Sequence, residues 1–158
     1  MSLLTAEIKD FITIQKLGYY ATVSPDGLPN LSPKGTTLVW DDNHLVFADI
    51  HSPGTVGNLR SNPAIEINMV DVFTRKGFRF RGTATVFSSG EIFDAVLMRY
   101  RAAGAGYKIN HIVMVELSEV LPLWSPVYDT GIAEEEVIQR WTNYWKEQHS
   151  SAAHAGTK

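Results

Sequence analysis

Two short polar clusters carry residue types that could bind an anion. Residues 32–37 read Ser-Pro-Lys-Gly-Thr-Thr, and residues 52–55 read Ser-Pro-Gly-Thr. The second cluster stands at the predicted start of a short helix, where hydroxyl groups and unpaired N–H groups favour a bound phosphate. Lys34 in the first cluster adds an ammonium group on a flexible side chain. Brought together, these groups would form a phosphate-binding site.

The segment between the two clusters predicts that they meet. Residues 36–40 and 44–49 are rich in β-branched and aromatic side chains, and Asp-Asp-Asn separates them, which is typical of a hairpin. A hairpin returns its two ends to one edge, so we expect Lys34 to lie close to residues 52–55. Each cluster also has a simpler interpretation, since Pro-Lys-Gly is a common solvated turn and Ser-Pro a common helix start. Capping and phosphate binding are compatible at one helix N-terminus.

The remaining chain supplies the elements that would position this hairpin. Apolar residues recur at helical spacing near both ends and after residue 89, and they alternate with polar residues in segments of strand length. The predicted strands cover 19–24, 29–32, 36–40, 44–49, 64–70, 78–87 and 111–121, followed by an aromatic arm over 123–130. Gly82, inside the longest strand, indicates a bend or bulge. Without regular βαβ alternation, the pattern predicts an antiparallel barrel of six or seven strands with flanking helices.

The composition is that of one globular domain. Of the 158 residues, 44% are hydrophobic and 20% charged, and we expect a single domain over 1–148 with a disordered tail over 149–158. A net charge of -3 disfavours binding to nucleic acid or to an anionic membrane surface. Because the chain has no cysteine, redox chemistry would need a cofactor. The first residues form neither a signal peptide nor a membrane span, which favours a cytoplasmic location.

The histidines and acidic runs do not indicate a metal site. The five histidines lack the spacing of a ligand pair, and Asp-Asp-Asn at 41–43 lacks the glycine and distal glutamate of a calcium loop. We therefore predict no bound metal. His51 is of separate interest, because it directly precedes Ser52 and could contact a ligand bound there.

Several fragments in a fixed order carry a resemblance to a known family. After the first predicted helix come YYATVSPDGLPNLSPKG, a hairpin ending in FADIHSP, then TVGNLRSNPAIEINMV, a cationic turn and RFRGTATVF. In this order, over residues 18–120, the chain resembles the FMN-binding split-barrel flavoproteins, the group that includes pyridoxamine 5'-phosphate oxidase. The resemblance implies a mainly β (α+β) split β-barrel that forms a homodimer with two FMN molecules at the interface.

The resemblance also implies which residues bind the cofactor. Lys34 matches the basic residue that contacts the FMN phosphate or ribityl chain, and Ser52 and Thr55 match phosphate-binding hydroxyls; His51 could touch the ribityl chain. The further matched positions are Gly35 and Thr36 beside the ring, Asn58 in the following helix, Arg75, Lys76 and Gly77 in the cationic turn, and Trp124 against the partner's flavin. Trp124 is equally interpreted as an anchor of the dimer interface.

The leading functional hypothesis is an FMN-dependent oxidoreductase that passes electrons between a small donor such as NAD(P)H and an unknown acceptor. The chain lacks the C-terminal cationic motif with which pyridoxamine 5'-phosphate oxidases hold their substrate, and this argues against vitamin B6 oxidation. One alternative is a non-catalytic FMN-binding module for electron transfer or flavin storage. Another is a split barrel that binds haem or a different planar ligand in place of flavin. No residue is assigned as a catalytic acid or base.

Overall fold

Strands and helices follow one another in the order typical of an α+β protein. The computed structural model describes the backbone of residues 2–155 and the side chains of residues 2–150. Its helices are α1 (Ala6–Gln15), α2 (Pro53–Ser61), α3 (Glu91–Ala102) and α4 (Glu134–Ala155), and a short 3-10 helix spans Pro126–Thr130. Its strands are β1 (Gly18–Val23), β2 (Pro29–Lys34), β3 (Leu38–Val39), β4 (His44–Asp49), β5 (Ala64–Val70), β6 (Lys76–Phe87) and β7 (His111–Trp124).

The strands of this described part form one seven-stranded antiparallel sheet. Its order is β2-β1-β5-β6-β7-β4-β3, so β2 and β3 are at its two ends and the sheet is not closed. β2 lies at an edge, as its two prolines predicted, because proline cannot donate to a neighbouring strand. The α+β split-barrel class expected from the sequence is confirmed.

Strand β4 is buried along almost its whole length, and this explains its continuous apolar run. Leu45 and Phe47 belong to one hydrophobic core, which includes Tyr20, Phe80 and Ile12 of α1. Val46 and Ala48 belong to a second core, which includes Val96 and Tyr100 of α3. Because successive side chains of a strand point to opposite faces, β4 contributes alternately to the two cores. The strand that leads into the predicted site is therefore held from both sides.

The contacts of the chain divide it into two compact units. Unit 1 contains the residues up to Met69 together with Phe78–Leu121, and unit 2 contains Val70–Gly77 together with the chain from Pro122 onward. Both hydrophobic cores consist of unit 1 residues. The expectation of a single domain over residues 1–148 stays a prediction.

Strand β3 is shorter than the sequence indicates. It covers Leu38–Val39 instead of 36–40. The reason is that the hydroxyl of Thr36 takes the place of a backbone group: Oγ1 accepts from the amide of Ala48 at 3.1 Å and lies 3.3 Å from the Ala48 carbonyl oxygen, to which it donates. The Thr36 side chain thus forms the hydrogen bonds with the Ala48 backbone that the β3 backbone does not form.

The C-terminal elements extend further than predicted. Strand β7 continues to Trp124, so the first residues of the predicted aromatic arm belong to a strand. Helix α4 continues to Ala155, past the boundary expected at residue 148. Alanine is the strongest helix former, and the sequence Ser-Ser-Ala-Ala-His-Ala at 150–155 does not interrupt the helix. The last part of the predicted disordered tail, 156–158, lies outside the described residues.

Candidate functional site

The two polar clusters meet as the hairpin predicted. The ammonium group of Lys34 donates to Ser52 Oγ at 2.7 Å and to Ser32 Oγ at 3.2 Å. Lys34 is the last residue of β2, and Ser52 immediately precedes α2. The contact therefore joins the edge of the sheet to the N-terminus of a helix, across 18 residues of sequence.

Lys34 is buried and is not the solvated turn residue of the simpler interpretation. Its exposed fraction is 7%, and its ammonium group lies 5.7 Å from the ring centroid of Phe47 and 6.0 Å from that of Tyr20. Burial lowers the pKa of Lys34, because removal from water disfavours the charged form, while the carboxylate of Asp49 partly restores it. A buried ammonium needs hydrogen-bond acceptors, and the two serine hydroxyls supply them.

The N-terminus of α2 has donors that the fold does not use. Ser52 is the N-cap residue, yet its side chain makes no capping bond and accepts from Lys34 instead. Pro53 has no N–H group. Within residues 2–155, no hydrogen bond is recorded for the amides of Gly54 and Thr55, which belong to the first turn of α2. Amides in the first turn of a helix have no intrahelical acceptor and favour an anionic ligand.

A cavity of about 290 Å³ opens between the β2 edge and this helix terminus. Its walls are Asn30–Pro33 on one side and His51–Thr55 on the other. The hydroxyls that receive the Lys34 hydrogen bonds belong to residues lining this cavity, and Lys34 itself lies beneath them. Hydroxyl groups, free amides and a nearby ammonium together make this small cavity the candidate anion site.

Asp49 is a site residue that sequence reasoning missed. Its exposed fraction is 3%, its Oδ1 accepts from the amide of Ser52 at 2.7 Å, and its Oδ2 lies 2.8 Å from His111 Nδ1. A buried carboxylate thus stands next to the candidate anion site and offsets the charge of Lys34. The available signal was an acidic residue at the end of an apolar strand, three positions before Ser52.

Gly35 and Thr36 line a different cavity, of about 470 Å³, that also contains Tyr100 and Tyr107 in its walls. Tyr100 donates its hydroxyl hydrogen to the carbonyl oxygen of Thr36, and burial raises the pKa of Tyr100. Gly35 is exposed, and a Cβ built there would meet no atom within 4 Å. Since Gly35 follows Lys34 directly, this second cavity begins one residue from the candidate anion site.

The remaining predicted residues of unit 1 differ in their surroundings. Thr55 is buried and lines the small cavity, and His51 is exposed and also lines it. Asn58 is buried elsewhere: its Nδ2 donates to Thr22 Oγ1 at 3.0 Å and so ties α2 to β1. Asn58 does not line the small cavity. Its side chain already has a structural partner, and its role as a ligand contact stays a prediction.

Of the four predicted residues of unit 2, Arg75 and Lys76 have partners inside that unit. The guanidinium of Arg75 lies 4.3 Å from the ring centroid of Trp141, and Arg75 has a positive φ of 59°. Lys76 pairs with Glu134, which raises the pKa of Lys76. Gly77 is buried, and Trp124 has an exposed fraction of 59%. The proposed contacts of these four residues with a cofactor stay predictions.

Among the described residues, no group of three or more His, Cys, Asp or Glu side chains could hold a metal ion. None of the described helices is both long and apolar enough to cross a membrane.

Comparison with known proteins identifies the family. The family model of pyridoxamine 5'-phosphate oxidase matches residues 4–121, and the chain therefore belongs to this family. The structure of HupZ from Group A Streptococcus is similar to the chain, with 30% sequence identity and a TM-score of 0.71. The match covers 77% of this chain and 94% of the HupZ chain. No curated protein matches the chain significantly.

Two structures with lower identity share the fold. An FMN-binding protein from Syntrophomonas wolfei is 15% identical with a TM-score of 0.65, over 75% of this chain and 85% of that protein. HutZ, the heme storage protein from Vibrio cholerae, is 22% identical with a TM-score of 0.59, over 75% of this chain and 93% of HutZ. At these identities the similarity establishes the fold alone. The same fold thus accommodates proteins with different ligands.

Proposed function

We propose that the protein binds FMN, with the phosphate group in the small cavity between β2 and α2. The observation that carries this proposal is the contact of 2.7 Å between Lys34 and Ser52 at a helix terminus where the amides of Gly54 and Thr55 have no recorded partner among the described residues. The family, and the FMN-binding protein from Syntrophomonas wolfei with the same fold, support it.

The donor set fits a phosphate monoester. Phosphate oxygens accept hydrogen bonds, and the residues lining the cavity offer the hydroxyls of Ser32, Ser52 and Thr55 and the amides of Gly54 and Thr55. Lys34 lies beneath both hydroxyls and compensates negative charge. Asp49 opposes the phosphate electrostatically, but its carboxylate is occupied by the Ser52 amide and by His111. The residues therefore fit a phosphate group, but the electrostatic attraction for it is weaker than Lys34 alone would give.

Bound FMN would supply electron transfer, and the protein would act as an oxidoreductase between a small donor such as NAD(P)H and an acceptor. The chain's own residues would hold the phosphate end and fix the orientation of the cofactor. The protein would form a homodimer with FMN at the interface, and Trp124 would face the partner's flavin. A flavin-binding module without its own substrate shares this site and differs only in lacking turnover with NADH or NADPH.

Haem or another planar ligand is the second candidate. Asp49, whose buried carboxylate accepts from the Ser52 amide at 2.7 Å, would repel a phosphate at the helix terminus, and this makes a planar ligand without a phosphate group the alternative. The heme storage protein HutZ has the same fold. Titrations of the purified protein with FMN and with haemin, followed by absorbance, distinguish the two ligands.

The experiment that tests the FMN proposal combines ligand identification with two variants. The ligand released by denaturation should have the mass of FMN, and protein purified without ligand should bind added FMN. Lys34→Ala and Thr55→Ala should each weaken FMN binding about tenfold or more, because hydrogen bonds that involve a charged group contribute about 1.5–3 kcal/mol. Lys9→Ala is the control, since Lys9 pairs with Asp42 and does not line the cavity.

Fluorescence quenching of FMN gives the affinities, and circular dichroism shows whether each variant is folded. A colourless protein that does not take up FMN would contradict the proposal. Unchanged affinity in both folded variants would show that the two clusters serve only as a turn and a helix start.

A further inference from the structure

A third cavity, larger than the small cavity and with a volume of about 600 Å³, adjoins the helix terminus. It shares the lining residues His51, Ser52 and Pro53 with the small cavity. Its other walls come from α2, from the start of α3 and from residues 108–111 at the start of β7. These further walls are not part of the small cavity, and the FMN proposal makes no use of their side chains.

Two cations that have no recorded carboxylate partner among the described residues line this cavity. Arg60 of α2 is exposed, and its one hydrogen bond recorded among the described residues goes to Ser88 Oγ at 3.3 Å. Lys108 is exposed and has no recorded hydrogen bond or ion pair in the described part of the chain. The acidic side chain in the wall is Asp49, whose carboxylate already binds the Ser52 amide and His111. The cavity therefore has an unneutralised positive charge.

His111 is oriented toward this cavity by Asp49. Its Nδ1 lies 2.8 Å from Asp49 Oδ2, and since an ionised carboxylate can only accept, Nδ1 carries the hydrogen. The second ring nitrogen, Nε2, has no recorded partner among the described residues, and His111 belongs to the cavity wall. The pairing of β4 with β7 places Asp49 and His111 directly opposite each other, so the orientation is built into the sheet.

The cavity also has an apolar wall. Phe93 of α3, Val56 of α2 and the buried Ile109 contribute to it. A cavity that combines an apolar surface with a few convergent polar groups is typical of a site for a small molecule. A ligand complementary to both parts has an apolar body and an anionic group.

We propose that this cavity is a binding site for a small organic anion, a carboxylate or phosphate monoester on an apolar body. Arg60 and Lys108 bind the anionic group, His111 Nε2 forms a hydrogen bond with the ligand, and Phe93 contacts its body. Asp49 acts as a positioning residue for His111. The residues assigned to the anion, Arg60, Lys108 and His111, line only the larger cavity, whereas the phosphate end of FMN occupies the small cavity in the proposal above.

Three probes that share a phenyl ring test the charge requirement. Benzoate and phenyl phosphate carry the two anionic groups, and benzamide is the neutral counterpart of benzoate. Isothermal titration of the full-length protein without flavin should show saturable binding of at least one anion and none of benzamide. The stronger anion identifies which of the two groups the site prefers.

Substitutions locate the binding. Arg60→Met and Lys108→Met should each lower the affinity for the anion about threefold to tenfold, because each removes a charge or a charged hydrogen bond at a partly solvated site. His111→Gln should weaken it as well, while Lys9→Met removes a cation outside the cavity and should change nothing. Both cations are exposed, so their variants keep the fold and carry the test even if His111→Gln destabilises the protein.

Competition with FMN completes the experiment. Saturation with FMN should leave anion binding in place, as expected for separate cavities. Displacement of the anion by FMN would overturn the proposal, because the larger cavity would then be part of the cofactor site. Equal binding of benzamide, or unchanged affinity in both cation variants, would overturn it too. A protein that binds the anion but never binds FMN would uphold this site and reject the flavin proposal alone.

Discussion

Replacing Asp49 with asparagine removes a buried negative charge that would oppose the proposed phosphate binding. The carboxylate is buried, and its two oxygens contact the Ser52 amide at 2.7 Å and His111 Nδ1 at 2.8 Å. Asparagine has the same shape, can still accept from the Ser52 amide and can donate from its NH₂ group to His111 Nδ1 when the imidazole hydrogen moves to Nε2. Asp49→Asn therefore removes the charge and keeps the hydrogen bonds, and we expect it to tighten FMN binding.

The expected magnitude comes from the distances at the helix terminus. A phosphate bound at Ser52 would lie about 6 Å from the carboxylate, at which an effective dielectric constant of about 20 gives a repulsion of about 3 kcal/mol per pair of charges. The ammonium of Lys34 and nearby water compensate part of this repulsion. A net gain of about 1–2 kcal/mol, or about fivefold to thirtyfold in affinity, is the resulting expectation.

Fluorescence titration with FMN measures this gain for wild type and Asp49→Asn side by side. Asp42→Asn is the matched control, because Asp42 pairs with Lys9 and lines neither cavity at the helix terminus. The titrations belong at neutral pH, since Asp49 also supports the charged form of Lys34. An unchanged or weaker affinity in a folded Asp49→Asn variant would refute the reasoning, because the carboxylate would then not face the bound phosphate.

Three further predictions follow from single side chains. Burial lowers the pKa of Lys34 below its ordinary value of 10.5, so the unfolded chain binds this proton more tightly than the folded chain. The unfolding free energy of wild type should therefore rise relative to that of Lys34→Met as the pH increases toward 10.5. Urea titrations across that pH range measure the difference. A Cβ at Gly82 would lie 2.3 Å from the Glu116 carbonyl oxygen, so Gly82→Ala should cost about 1–3 kcal/mol of unfolding free energy by forcing β6 from β7. Gly57→Ala in α2, where a Cβ meets no atom within 4 Å, is its control, and equal stability of the two variants would refute the crowding. Trp124→Ala should weaken FMN binding and dimerisation together, measured by titration and sedimentation; a variant with both properties intact would show that the exposed indole packs against no partner.

Local sequence patterns were sufficient to predict the position of the candidate anion site. The turn at 41–43 folds the chain back within a few residues, so Lys34 and Ser52 had to approach each other whatever the rest of the fold. The edge position of β2 was also predictable, because a proline inside a strand has no N–H group to donate to a second neighbouring strand. These features depend on backbone geometry over short distances, which residue types determine directly.

The burial of Lys34 could not be predicted in the same way. A lysine between proline and glycine is normally solvated, and nothing near it in sequence indicates otherwise. Its ammonium group is enclosed because Tyr20 of β1 and Phe47 of β4 pack around it from two strands that are far apart in the sheet order. The same holds for Asn58, whose partner Thr22 is 36 residues away.

The pair of Asp49 and His111 shows most clearly what only the tertiary structure decided. The two residues are 62 positions apart, and the sequence presents them as the end of one strand and the start of another. The antiparallel register of β4 and β7 makes them direct neighbours. That register depends on which faces of both strands the two hydrophobic cores bury, since a shift by one residue would turn every side chain to the opposite face. Such a choice is made by the packing of the whole sheet, and so the sequence determined the cluster of the candidate anion site while the packing determined the acidic partner beside it.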